Sequence, residues 1–197
     1  MAHLIAGRSP RQVLDELLAL RISGWPGRWS AMPEDEEDLK QWYGGLSWVP
    51  LWLHSNRQYV RTAPGGRFHF VRNGTARQPI TSISSTVWAV RGETLDENPQ
   101  LRELAFERSQ AYAGAITAEL GAPQWQGAGN SLGFPVMPQH SPRSSASRPQ
   151  RLALWPLNGP GSPLIELTML LDMGSEERPY LANSRIELHC HRAEDHR

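Results

Sequence analysis

The stretch Pro99-Gln-Leu-Arg-Glu-Leu-Ala-Phe-Glu-Arg-Ser-Gln-Ala-Tyr-Ala-Gly-Ala-Ile-Thr-Ala-Glu-Leu-Gly-Ala-Pro123 decides the fold class. Leu101, Leu104, Ala105, Tyr112, Ile116 and Leu120 recur at helical spacings, and Arg108 and Ala115 fall on the same stripe. That period predicts a helix of about five to six turns. Asn98 or Asp96 can cap its start, with Pro99 near the first position. Gly121 ends it and Pro123 blocks continuation. The centre, Ala111 to Ala115, is rich in small residues, which lets a helix approach a sheet or another backbone closely. The segments on either side carry strand texture. One long helix between two runs of strands makes the chain α+β: a mostly antiparallel sheet of about six or seven strands with two main helices packed on it.

Upstream, the other main helix runs from Pro10 to Ile22. Ser9 suits its N-cap, Gln12 completes a capping box, and Val13, Leu14, Leu17 and Leu18 form one apolar stripe that Gly24 can close. After Trp25-Pro-Gly-Arg-Trp29 comes the acidic run Glu34-Asp35-Glu36-Glu37-Asp38. Its carboxylates suit the first turn of a short helix reaching Trp42; they also offer an acidic face to a basic partner. Leu46 to Leu53 is a strand candidate that Pro50 confines to an edge or a bulge. Trp48 and Trp52 would then share one face of it. Arg57–Thr62 and Arg67–Arg72 flank Ala63-Pro-Gly-Gly66, a hairpin turn; Asn73-Gly74 is a further turn, and Thr81–Arg91 reads as a strand.

Downstream, residues 124–150 hold four prolines at 135, 138, 142 and 149 among serines and glycines, and read as a long loop within a single domain spanning 1–197. Trp125 and Phe134 are its expected tethers. Leu152–Trp155 and Leu164–Leu171 are strands around a broad turn; the second should bury one face fully and the other by half. In Arg185–His191, Ile186, Leu188 and Cys190 alternate inward against Glu187, His189 and His191 outward.

Composition narrows the function classes. Lys+Arg and Asp+Glu are 20 each, so no general nucleic-acid affinity is expected, although a local charged patch is compatible with this balance. A chain of 197 residues can bury a core without a metal or disulfide, and no cofactor is expected. Cys190 is the only cysteine, and the N-terminus lacks the pattern of a signal peptide. No apolar run reaches the length of about 18 residues that a spanning helix needs. The expectation is a cytoplasmic protein with no membrane partner. Eight tryptophans point to a core that leans on Trp.

Three constellations could carry chemistry. Gly129-Asn-Ser-Leu-Gly133 matches G-x-S-x-G, with Asp172, His189 and His191 following in chain order, so Ser131 with His189 or His191 is a candidate serine hydrolase. The pattern needs a strand-to-helix turn, and Phe134-Pro-Val-Met-Pro138 cannot start a helix cleanly. His189 and His191 lie about 6.6–7 Å apart along a strand, a spacing that can chelate zinc if further ligands arrive; a solvated face is the plainer reading. The tryptophans could form a stacking platform, but they lack a general basic interleaving, which favours core or rim packing.

The helix exit Ala118-Glu-Leu-Gly-Ala-Pro123, then Trp125, then Leu152–Trp155 and Leu164–Met169, resembles small uncharacterised proteins of actinobacterial type found in toxin–immunity loci. The resemblance covers about the last hundred residues and implies a non-enzymatic protein-binding protein, an immunity-type inhibitor whose partner is a toxin domain. It brings no catalytic motif. The candidate contact residues are Glu34, Asp35, Glu36, Glu37 and Asp38 with Trp125 and Phe134.

Overall fold

The computed structural model describes residues 3–22, 24, 29–30, 32–33, 35–44, 48–54, 57–63, 65–72, 78–134, 149–159, 161–174 and 179–192. Trp25, Glu34, the Asn73-Gly74 turn, residues 135–148 of the long loop and the polar tail from 193 lie outside them. Its helices are α1 (Pro10–Ile22), α2 (Glu36–Gly44) and α3 (Asn98–Leu120). The strands are β1 (His3–Gly7), β2 (Val49–His54), β3 (Arg57–Arg61), β4 (Arg67–Arg72), β5 (Ile80–Arg91), β6 (Trp125–Ala128), β7 (Pro149–Pro156), β8 (Pro163–Gly174) and β9 (Pro179–Arg192).

The architecture is α+β with a mostly antiparallel sheet, ordered β2-β3-β4-β5-β9-β8-β7-β6, with β1 also paired to β5. Among the described residues the sheet has nine strands rather than six or seven, and the helices are three rather than two. The unexpected strands are β1 and β6. Both are short, and β6 (Trp-Gln-Gly-Ala) contains a glycine and lacks alternation, so neither carries the usual strand signal. The segment expected as loop from 124 therefore begins as a strand, with Gln124 N–H on the Leu154 carbonyl and Gln126 opposite Ala153. Among the described residues no helix is long and apolar enough to cross a membrane.

By packing, the chain divides into two compact units. One comprises Met1–Pro10, Thr86–Trp155 and Glu166–Leu188. Here α3 buries Leu101, Ala105, Ser109, Tyr112, Ala113 and Ile116, a stripe rotated from the expected one: Leu104 and Leu120 are half-buried and Arg108 is exposed. Tyr112, common to both stripes, is fixed by its hydroxyl, which donates to the Arg8 carbonyl that follows β1. Burial pushes this phenol above its ordinary pKa, against the pull of Arg8 and Arg108, which keeps the proton available for donation. Asn98 does not cap the helix. It is the first helical residue, and its side-chain carbonyl accepts the Ala182 N–H at 2.9 Å. A 3-10 turn at Leu95–Glu97 leads into the helix, with the Glu97 carboxylate accepting the Glu93 N–H at 2.8 Å. Gly121, at φ +88, closes the far end through its N–H on the Thr117 carbonyl.

The small-residue centre of α3 serves packing only at Ala113, which is buried. Gly114 is exposed, and a methyl group placed there meets nothing within 4 Å. Gly114→Ala is therefore expected to stabilise the chain by about 1 kcal/mol, because glycine in a helix interior costs that much relative to alanine. A rise in the urea midpoint would show it; a fall would mean that this side of the helix is packed after all.

In the same unit β8 is buried on both faces. Leu167 and Met169 on one side, and Glu166 and Thr168 on the other, are at most 2% exposed. The expected half-solvated face does not exist, because β8 lies between β9 and β7 and reads like an interior strand.

The second unit comprises Arg11–Ser85, Pro156–Ile165 and His189–Arg197. In it α1 buries Val13, Leu14, Leu17 and Leu20, with the Gly24 turn at its end. Glu16 is also buried on this helix, and its carboxylate accepts the Thr62 hydroxyl. The β3–β4 hairpin forms where expected: Thr62 N–H bonds the Gly66 carbonyl, and Gly65 takes φ +88. Inward-facing Phe68 and Phe70 on β4 are covered by Trp42 and Tyr43 from α2 and by Trp48. Each unit's core leans on tryptophan: Trp29 and Trp48 are buried in this one, Trp88 and Trp155 in the first, and the Trp29 indole N–H reaches the Gly161 carbonyl at 2.6 Å.

Candidate binding surface

Strands β2, β3 and β4 alternate, so burying Val60, Phe68 and Phe70 sends their neighbours to the other face. Trp48 and Trp52 do not share a face, contrary to the spacing. Pairing shifts register between Pro50 and Trp52, so Pro50 faces Val60 while Trp52 faces Tyr59. One extra residue at this bulge inverts the parity of the strand. Trp48 is buried on Phe68 at 5.1 Å, and Trp52 emerges on the opposite face, 46% exposed. The buried Gln58 amide fixes the bulge by donating to the Trp52 and Tyr59 carbonyls at 3.1 and 3.0 Å.

The consequence is a straight cross-strand row. Trp52 pairs with Tyr59, Tyr59 with His69, and His69 with Ser84 on β5. The rings of Trp52 and Tyr59 stack at 5.0 Å and 20°, those of Tyr59 and His69 lie 5.5 Å apart, and the Ser84 hydroxyl meets His69 Nε2 at 2.7 Å. The Arg67 guanidinium sits 5.9 Å from the Trp52 ring centre. Arg57 and Arg61 flank Tyr59 on β3, both exposed. None of the three arginines has a carboxylate partner among the described residues. Sequence reading missed this surface because the basic residues lie beside Trp52 on neighbouring strands, not beside it in the chain.

The acidic run enters the fold as a helix start. The Asp35 carboxylate accepts the Glu37 and Asp38 N–H groups at 2.8 and 3.2 Å, capping α2, which begins at Glu36. Glu37 and Asp38 are exposed. Trp125 and Phe134, in the other unit, do come together, edge to face at 5.3 Å. Trp125 also covers Gly127, where a methyl group would stand 2.7 Å from the indole. These two rings shape the turn after β6.

Ser131 lies in that turn. Its hydroxyl accepts the Ala128 N–H at 3.1 Å, and the Phe134 N–H bonds the Ser131 carbonyl, so the chain continues as turn rather than entering the helix of a nucleophile elbow. His189 and His191 stack at 5.6 Å and 11°. They are not solvated as expected: His191 is buried and His189 half-buried, because β9 is an interior strand between β5 and β8. Among the described residues no group of three or more His, Cys, Asp or Glu side chains could hold a metal ion. Cys190 is fully buried, and burial pushes its thiol far up, away from the reactive thiolate.

A cleft between α3 and strands β6–β8, lined by Ser109, Gln126, Arg151 and Leu167, has room for about one water molecule. The aromatic row on β2–β4 instead lies on an open sheet face, with Trp52 exposed and Tyr59 and His69 half-buried. No protein-family model, curated protein or solved structure matches the chain.

Proposed function

We propose that this chain is a non-enzymatic protein-binding protein, an immunity-type inhibitor that neutralises a toxin domain by covering it. The observation that carries the reading is the Trp52–Tyr59–His69 row with Arg67 held over Trp52. Trp, Tyr and Arg are the residue types that dominate the energetics of protein interfaces: Trp and Tyr cover a large area at a small loss of side-chain freedom, and Arg brings a rigid fork of donors. Here Trp52 and Tyr59 are already stacked, and His69 beside them already meets the Ser84 hydroxyl, before any partner arrives, so less ordering entropy remains to be lost on binding.

Co-expression with the protein encoded beside this chain's gene tests the reading. A toxic neighbour should lose its toxicity and co-purify with the chain as a stoichiometric complex. A neighbour that is harmless, or one that kills equally well with the chain present, would overturn it.

A further inference from the structure

We propose that the outward face of β2–β4 is the docking surface and that its occupant is a protein surface rich in Asp and Glu carboxylates. This rests on the protein-binding reading above and supplies the partner's chemistry.

Ring orientation comes first. Tyr59 stands between Trp52 at 5.0 Å and His69 at 5.5 Å, so its two faces are engaged within the row. What Tyr59 is left to offer outward is ring edge, the electropositive rim of an aromatic quadrupole. Charge points the same way. Arg57, Arg61 and Arg67 are exposed on the same strands, and no Asp or Glu occurs in β2, β3 or β4. Guanidinium groups pair with carboxylates through two parallel N–H donors, which fixes orientation as well as adding attraction. A single-stranded nucleic acid also seeks aromatic rings and arginine, but its bases stack on open ring faces, and those of Tyr59 are taken. The chain's overall charge of zero adds no general pull on phosphate. The surface is therefore a local basic patch on a neutral molecule, built for short-range complementarity.

The test uses the isotope-labelled full chain, titrated separately with a Glu/Ala dodecapeptide and with an oligothymidine of similar length. The peptide should shift the Trp52 indole N–H and the amides around Tyr59, Arg61 and Arg67, and roughly 0.5 M salt should abolish the shifts. Arg67→Glu should weaken peptide binding by about tenfold or more, and Arg67→Lys should recover only part of it. Both variants alter an exposed side chain, and circular dichroism checks their fold. Shifts with the oligonucleotide alone, or peptide shifts confined to other residues, would overturn the proposal. So would a dimer that Arg67→Glu dissolves, since the face would then belong to a second copy.

The parent reading fails separately. If Trp52→Ala and Arg67→Glu protect against the toxin as well as the unaltered chain does, the function stands and this surface falls. If the unaltered chain protects against nothing while the peptide still binds at β2–β4, the surface stands and the immunity role falls.

Discussion

Replacing Phe70 by alanine is expected to destabilise the chain by about 3–5 kcal/mol and to loosen α2. Phe70 is fully buried, and its ring meets Trp42 at 5.2 Å, Tyr43 at 5.8 Å and Trp48 at 6.1 Å. Helix α2 has only nine residues, too few to persist without tertiary support, and Trp42 and Tyr43 are the side chains through which it meets Phe70. With a urea slope of about 1–3 kcal/mol per molar, the midpoint should fall by about 2 M, accompanied by lost helical signal. Trp52→Ala is the control. It removes a ring of equal interest from the outward side of the same hairpin, and should cost under about 1 kcal/mol. If the two variants lose similar stability, the division of this sheet into a packed face and a presenting face is wrong.

That division marks how far the sequence could be read. Helices α1 and α3 and the β3–β4 hairpin were legible because their determinants are local: a period, a cap, a glycine at positive φ. Gly65 and Gly121 do what their positions predict. Trp52 was not legible. Its outward direction depends on a bulge at Pro50, held by the Gln58 amide from the next strand, and a one-residue shift inverts every side chain beyond it. The same limit applies to Glu166 and His191. Alternation assigns each to the face opposite the hydrophobic residues, but whether that face meets water depends on strand order. Interior positions for β8 and β9 bury it. The acidic run could be read as a helix start, and Asp35 bears this out, yet nothing local distinguishes a capping carboxylate from one awaiting a partner.

The residues that carry the sequence resemblance yield the second large effect, and they do so as scaffold. Trp155 is 1% exposed on β7, and its indole N–H donates to the Gly121 carbonyl at 3.2 Å. Gly121 is the C-cap of α3, so this bond ties the exit of the long helix to the sheet. Two residues later Pro123 ends any continuation, and Gln124 joins the Leu154 carbonyl at 2.8 Å to begin β6. The Leu-Gly-Ala-Pro exit, the Trp that follows and the Leu-Ala-Leu-Trp strand are thus parts of one latch. Trp155→Ala should cost about 3–5 kcal/mol and lower the melting temperature by roughly 10 °C at this chain length. Trp155→Phe keeps much of the apolar volume and removes the donor, so its smaller loss, about 1–2 kcal/mol, isolates the tie to Gly121. Equal losses in both variants would mean that the hydrogen bond, not the packing, holds the helix end; no loss in either would dismiss the latch. A motif of this kind identifies how a chain folds. On β2–β4, the side chains proposed to meet a partner have no share in that task, so a change such as Arg67→Glu should alter binding while leaving the latch and the melting temperature in place.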